Sequence, residues 1–239
     1  MLQELKSAAR GSVLETHPHY RTAIGVLGVL LPILLIVSSI VRQVAIRNSI
    51  SAYYHDPSTR DWFVGTLWVL GVFLFFYRYR PLHVGAPQSQ NESIRTGAAD
   101  AWLGKIAGVS AVLVALLPTT DKTSTAAQPA VIGTAHGFFA AILFICLSLF
   151  PLLLFSQSRK RGPFYRMIGW SMIVLLLVTA AHQFGPENVR QALAPWKPLL
   201  ILEAMLIWLF GLSWFEKGRE LADEEKKRPL PEEVARRVA

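Results

Sequence analysis

The sequence predicts an all-α fold, a polytopic transmembrane bundle of six helices with both termini on the cytoplasmic side. Three observations carry that prediction. First, 52% of the 239 residues are hydrophobic and only 17% are charged, against roughly 45–50% and 25% in soluble domains. Second, six apolar runs approach the ~20 residues that a bilayer core of ~30 Å demands of a helix. Third, Lys and Arg crowd into alternate loops. Disorder, collagen and coiled coil do not fit the composition, and a single cysteine, Cys146, permits no internal disulfide and no cysteine-based zinc site.

The first run, Ala23–Val41, carries no charge and follows Lys6, Arg10 and Arg21. It is too long for a signal-peptide core and has no A-x-A site, so it reads as a retained anchor. The second, Trp62–Tyr77, follows Asp61 and precedes Arg78 and Arg80. The third, Ala101–Leu117, is interrupted by Lys105, whose long side chain can reach the headgroups. Val131–Ser156 holds His136, Phe164–His182 forms the fifth run, and Pro198–Trp214 the sixth, with Glu203 inside it. Because lipid leaves backbone groups no partner but one another, such spans are helices or closed barrels, and these lengths select helices.

Counting cations orients the bundle. The N-terminus, second loop, fourth loop and tail hold 17 of the 24 Lys and Arg, the other loops hold six, and Lys105 lies in a span. The positive-inside rule then puts both termini in the cytoplasm, and the cell inner membrane is the localisation expected. The net charge of +8 is therefore a topology signal, and no nucleic-acid partner is implied. The organisation expected is a cytoplasmic N-terminus over 1–22, a six-helix domain over 23–215 and a charged tail over 216–239. The loop Pro81–Asp100, with His83 and the silent sequon Asn91–Ser93, reads as a polar connector. His17 and His19 read as solvated surface. The tail reads as a helix leaving the sixth span, broken near Pro229 and Pro231, and forming a solvated cap.

Polar residues inside a membrane are costly and mark function by default. With this topology they converge on the non-cytoplasmic end: Ser51, Tyr53, Tyr54, His55, Arg60, Asp61, His136, His182 and Glu203. Three chemistries compete there. His136, His182 and Glu203, or His55 with Asp61, supply the N/O donor types of a zinc site with an open position. His136, Glu203 or Asp61 otherwise handles a proton beside a lipid headgroup without metal, with Arg60, Tyr53, Tyr54 and Ser51 as the binding rim. The third reading is structural: Glu203 bonds His136 or a tyrosine, and Arg60 pairs with Asp61 or Asp56. Elsewhere, Glu203, Ile207, Phe210 and Trp214 share one helix face and read as a packed inner face. Gly104 and Gly108 make a G-x-x-x-G that signals close helix packing. Span-end aromatics, Trp62, Trp102, Trp196 and Trp214, read as interface anchors.

At Ser49–Gly65 (SISAYYHDPSTRDWFVG) and Leu202–Gly218 (LEAMLIWLFGLSWFEKG), the chain resembles a family of bacterial six-span membrane proteins of unknown function. The motif positions fall on Ser49, Ser51, Tyr53, Tyr54, Arg60, Asp61, His136, Glu203, Gly211, Ser213, Trp214, Lys217 and Gly218. More distantly it is similar to the DRAM-type autophagy modulators and the GPI-anchor-remodelling membrane proteins, which imply business with lipids at the outer or lumenal leaflet. Ser51-x-x-x-His55 and Asp61 also resemble part of the alkaline-ceramidase zinc motif, whose final His-x-x-x-His this chain lacks. The function expected is binding or modification of a lipid headgroup, as a hydrolase or transferase if catalytic, with zinc as the metal to test. The alternative is a non-enzymatic component, a small transporter or an assembly partner. Membrane lipids are the partners expected in the first case, and a second copy or another membrane protein in the other.

Overall fold

The computed structural model of the chain describes residues 18–77, 90–120 and 130–226. Among these, every regular element is a helix. In order they are α1 (Pro18–Val41), a 3₁₀ turn (Ser51–His55), α2 (Arg60–Phe75), α3 (Gln90–Leu116), α4 (Ala130–Leu149), α5 (Gly162–Phe184), a short α6 (Glu187–Leu193) and α7 (Pro198–Lys226). Lys6, Arg10, His17, Arg78, Arg80, His83, Lys122, Pro229 and Pro231, each used in the sequence argument, lie outside the described residues.

Four stretches are long and apolar enough to cross a membrane: α1, Val131–Gln157, α5 and Pro198–Asp223 of α7. The two other expected spans are helical as well, but shorter. α2 has 16 residues and the apolar part of α3 is Ala101–Leu116. Two boundaries differ from expectation. Gln90–Asp100, read as connector, already belongs to α3; the stretch has no proline, and its one glycine, Gly97, costs a helix only about 1 kcal/mol. The fourth run changes pitch near its end, with a π turn at Phe150–Leu154 and a 3₁₀ turn at Phe155–Gln157. Pro151 explains it: the ring has no N–H to give and collides with the carbonyl a turn earlier.

The helices close into a ring in which α1 lies along α7, α2 along α3, α3 along α4, and α5 against both α4 and α7. α1 and α7 touch backbone to backbone where Gly25 meets Gly211. Gly108 plays the same part between α3 and α2; a methyl there would lie 2.5 Å from the Gly71 carbonyl oxygen, which is the close packing that the G-x-x-x-G implied.

The ring is filled by aromatic side chains. Trp214 is fully buried, with its ring centroid 4.8 Å from Tyr77, 5.2 Å from Phe150, 5.4 Å from Phe155 and 5.7 Å from Phe210. Of the four tryptophans read as interface anchors, Trp62, Trp102 and Trp196 are exposed. Trp214 is not an anchor but the centre of the core, as its helical spacing with Phe210 required.

Candidate functional site

Charged and polar side chains gather at both ends of the bundle. The end that carries the Arg42–Thr59 loop is the one the sequence singled out. That loop folds down onto the helices rather than standing off them, with Ile50, Tyr53, Asp56 and Thr59 all buried. Ser49 starts the turn by accepting the Ala52 N–H at 3.0 Å through its hydroxyl, and lies 3.2 Å from the Ser51 hydroxyl. The Tyr53 hydroxyl accepts from Ser39 of α1 at 3.3 Å, and the Thr59 hydroxyl donates to the Tyr53 carbonyl at 3.3 Å.

Glu203, from α7, is what holds the loop. Its Oε2 accepts the N–H of Ile50 at 2.7 Å and of Ser51 at 3.3 Å. These are the first donors of the 3₁₀ turn, which have no partner within the turn itself, and a carboxylate satisfies them with charge-assisted bonds. The S-I-S and E-A segments, far apart in the chain, are thus two halves of one contact. Lys197, at the start of α7, adds a second tie by donating to the Ile46 carbonyl. We expect Glu203→Ala to cost about 1–3 kcal/mol by orphaning buried N–H groups, and Glu203→Gln to cost far less because its amide oxygen still accepts. Thermal unfolding in detergent measures both; equal losses would mean that the charge, not the acceptor, is needed.

Asp56 closes the same loop. Partial burial works against its charge, but the Ser58 hydroxyl and N–H, at 2.6 and 3.0 Å, and the Arg47 guanidinium 3.8 Å away outweigh it. The carboxyl is held below the usual carboxylate range. Arg60, expected to pair with Asp56 or Asp61, instead lies over the Tyr54 ring at 4.7 Å and donates to its hydroxyl at 3.1 Å. Both Arg60 and Asp61 are exposed.

His136 is buried at 3% exposure. Its Nδ1 lies 2.6 Å from the Leu117 carbonyl oxygen, and a carbonyl only accepts, so Nδ1 carries the proton and Nε2 of the neutral ring carries the lone pair. That Nε2 is buried and has no hydrogen-bond partner among the described residues. His55 reaches the same stretch of chain, with Nε2 2.7 Å from the Thr119 carbonyl oxygen. Two imidazoles therefore clasp the chain just beyond α3.

The proposed zinc set does not assemble. Among the described residues no three His, Cys, Asp or Glu side chains come together to hold a metal ion. The physical reason is that Glu203 is turned to the loop backbone and His136 to the Leu117 carbonyl, while His182 sits half-buried near the end of α5.

Sequence reasoning missed the opposite end. Residues 216–220, expected in a solvated cap, continue α7 into the core: Lys217 and Glu220 are 5% and 6% exposed. Lys217 Nζ donates to Glu220 Oε2 at 2.9 Å, the Tyr165 hydroxyl donates to the same oxygen at 3.1 Å, and Ser158 donates to Oε1. Arg161 pairs with Glu216 beside them, and the buried Arg21 lies 5.4 Å over the Tyr77 ring. The signal was present: continuing the inner face from Phe210 and Trp214 by three and seven residues lands on Lys217 and Leu221.

Helices alone among the described residues, four of them with apolar stretches long enough to cross a membrane, mark an integral membrane protein. The model of the DUF998 family, described as proteins of unknown function, matches residues 22–215, and the chain belongs to that family. Neither a curated protein nor a solved structure matches it.

Proposed function

We propose that this is a six-span protein of the cell inner membrane, both termini cytoplasmic, whose outer end binds a lipid headgroup or acts on one. The observation that carries the reading is the buried Nε2 of His136, a fixed lone pair without a partner among the described residues, which suits it to accept a proton or hydrogen bond from a hydroxyl or ammonium group. Arg60 and Tyr54 stand at the rim for a phosphate, with Asp61 exposed beside them. Support also comes from α5, whose buried residues, Gly162, Tyr165, Ile168, Gly169 and Met172, all lie in its first half. Beyond Met172 no residue of the helix is fully buried, although Leu175 still packs half-buried against the core, and this thinner cover lets a lipid approach at the outer leaflet. In this reading Glu203 is a positioning residue that fixes the loop beside His136.

His136→Ala, in purified full-length protein returned to vesicles, is expected to abolish binding or turnover of phospholipid and, by freeing the Leu117 carbonyl, to lose about 1–3 kcal/mol of stability without preventing folding. His136→Gln keeps an acceptor and is expected to retain binding but not proton transfer. Unchanged membrane lipid profiles and unchanged binding in both variants overturn the reading. A reporter fused to the tail tests the orientation separately. One observation favours the alternative of a non-enzymatic membrane component: Glu203 Oε2 is taken up by two N–H groups of the loop backbone. In that case Glu203→Gln and His136→Ala change stability and partner assembly, and no lipid.

A further inference from the structure

A groove runs between α2 and α3, away from the loop-end site. We propose that it holds one acyl chain of a glycerophospholipid whose phosphate is met by Lys105. The groove encloses about 210 Å³ and is lined only by glycines and apolar side chains, among them Gly71, Val72, Phe75, Gly108, Val109 and Leu113. It exists because of the Gly71–Gly108 contact, where the two backbones come together without side chains and the flanking Val72, Phe75 and Val109 splay outward, each substantially exposed. Such a slot has no polar group to interest water, and a flexible hydrocarbon chain fills it.

The cation decides what kind of hydrocarbon. Lys105 lies one turn before Gly108 and Val109, so it shares their face, and side chains on a helix lean toward its N-terminus. Its ammonium therefore lies beyond the N-terminal end of the groove, on the Trp102 side, where the headgroup of a chain seated in the groove would emerge. Nζ lies 4.9 Å from the ring centroid of the exposed Trp102, the residue type that marks headgroup level. No carboxylate among the described residues pairs with Lys105. An ammonium in an apolar surface gains most from an anion that arrives with its own hydrocarbon, which inorganic phosphate does not have. The lengths agree: Lys105 to Leu113 is about 12 Å along the helix at 1.5 Å per residue, close to the ~15 Å depth of one leaflet's hydrocarbon.

The proposal rests on α2 and α3 crossing the bilayer, but not on any chemistry at His136. The full chain in dodecyl maltoside, washed free of loose lipid, is expected to retain one phosphatidylglycerol by native mass spectrometry. Lys105→Gln should weaken that binding about fivefold, the worth of one cation at the headgroups, while Lys105→Arg retains it. Val109→Phe should remove the lipid by filling the slot, and Val72→Phe gives the same reading should the first variant elute poorly. Added inorganic phosphate should not displace the lipid. Equal retention by Lys105→Gln and Val109→Phe overturns the proposal. So does a dimer that Val109→Phe dissolves, since a second copy then covers the groove. A reporter in the 78–89 loop checks the topology on its own, so a wrong span count is told apart from a groove that binds nothing.

Discussion

Glu220→Ala should be the most destabilising polar substitution in the molecule, at about 3–5 kcal/mol, the usual loss when one member of a buried ion pair is removed. The carboxylate accepts from Lys217, Tyr165 and Ser158 together. Alanine takes from the ammonium of Lys217, 6% exposed in its side chain, the carboxylate 2.9 Å away that helps to offset its burial. Glu220→Gln should lose less, because an amide oxygen serves Tyr165 or Ser158 but cannot neutralise Lys217. Changing Lys217 and Glu220 together to methionine should recover most of the loss, since a well-packed apolar pair has no desolvation to overcome. Thermal unfolding followed by size exclusion in detergent ranks the three. A single alanine variant as stable as the parent would show that water reaches this end of α7.

Gly211→Val is the second large effect, and it acts through shape alone. A Cβ at Gly211 would lie 2.7 Å from the Gly25 carbonyl oxygen and 2.9 Å from the Val29 nitrogen. Both are backbone atoms that no rotamer change can move, so α1 and α7 must separate along their whole contact. Overpacking costs about 1–3 kcal/mol when side chains can adjust, and more is expected here, where they cannot. The control is Gly65, also a motif glycine, around which nothing lies within 4 Å of an added Cβ. Gly65→Ala should leave stability unchanged or raise it by up to about 1 kcal/mol through helix propensity. A Gly211→Val protein with the parent's melting behaviour would show that the two helices are not held by this crossing.

What the sequence made legible was set by hydropathy. α1 stops at Val41 and α7 starts at Pro198, where the apolar runs stop and start, because a long charge-free run has no other stable form in lipid. Glycine spacing gave the α2–α3 contact, since close backbones need small residues whatever the rest of the fold does. The polar side chains were harder. Glu203 and Ser51 were both marked as site residues, but the bond between the carboxylate and the Ile50 and Ser51 N–H groups joins residues more than 150 positions apart. No local pattern states such a pairing. The charges near Lys217 were misjudged because seven acids and seven bases follow in the 216–239 segment, and composition averages over the one face that turns inward. Lys217 and Glu220 are buried because α7 keeps its course past the last apolar residues and stays packed on α1 and α5.

That course has a practical consequence for anyone shortening the gene product. The family match closes at residue 215, an inviting place to cut, and a chain ended there would lack Glu216, Lys217 and Glu220. Tyr165 on the neighbouring helix, and Ser158 and Arg161 just before it, would keep their polar groups and lose the carboxylates that now accept from them. The useful minimal domain therefore extends at least one further helical turn and a half, to the end of the ionic knot rather than to the end of the recognisable sequence.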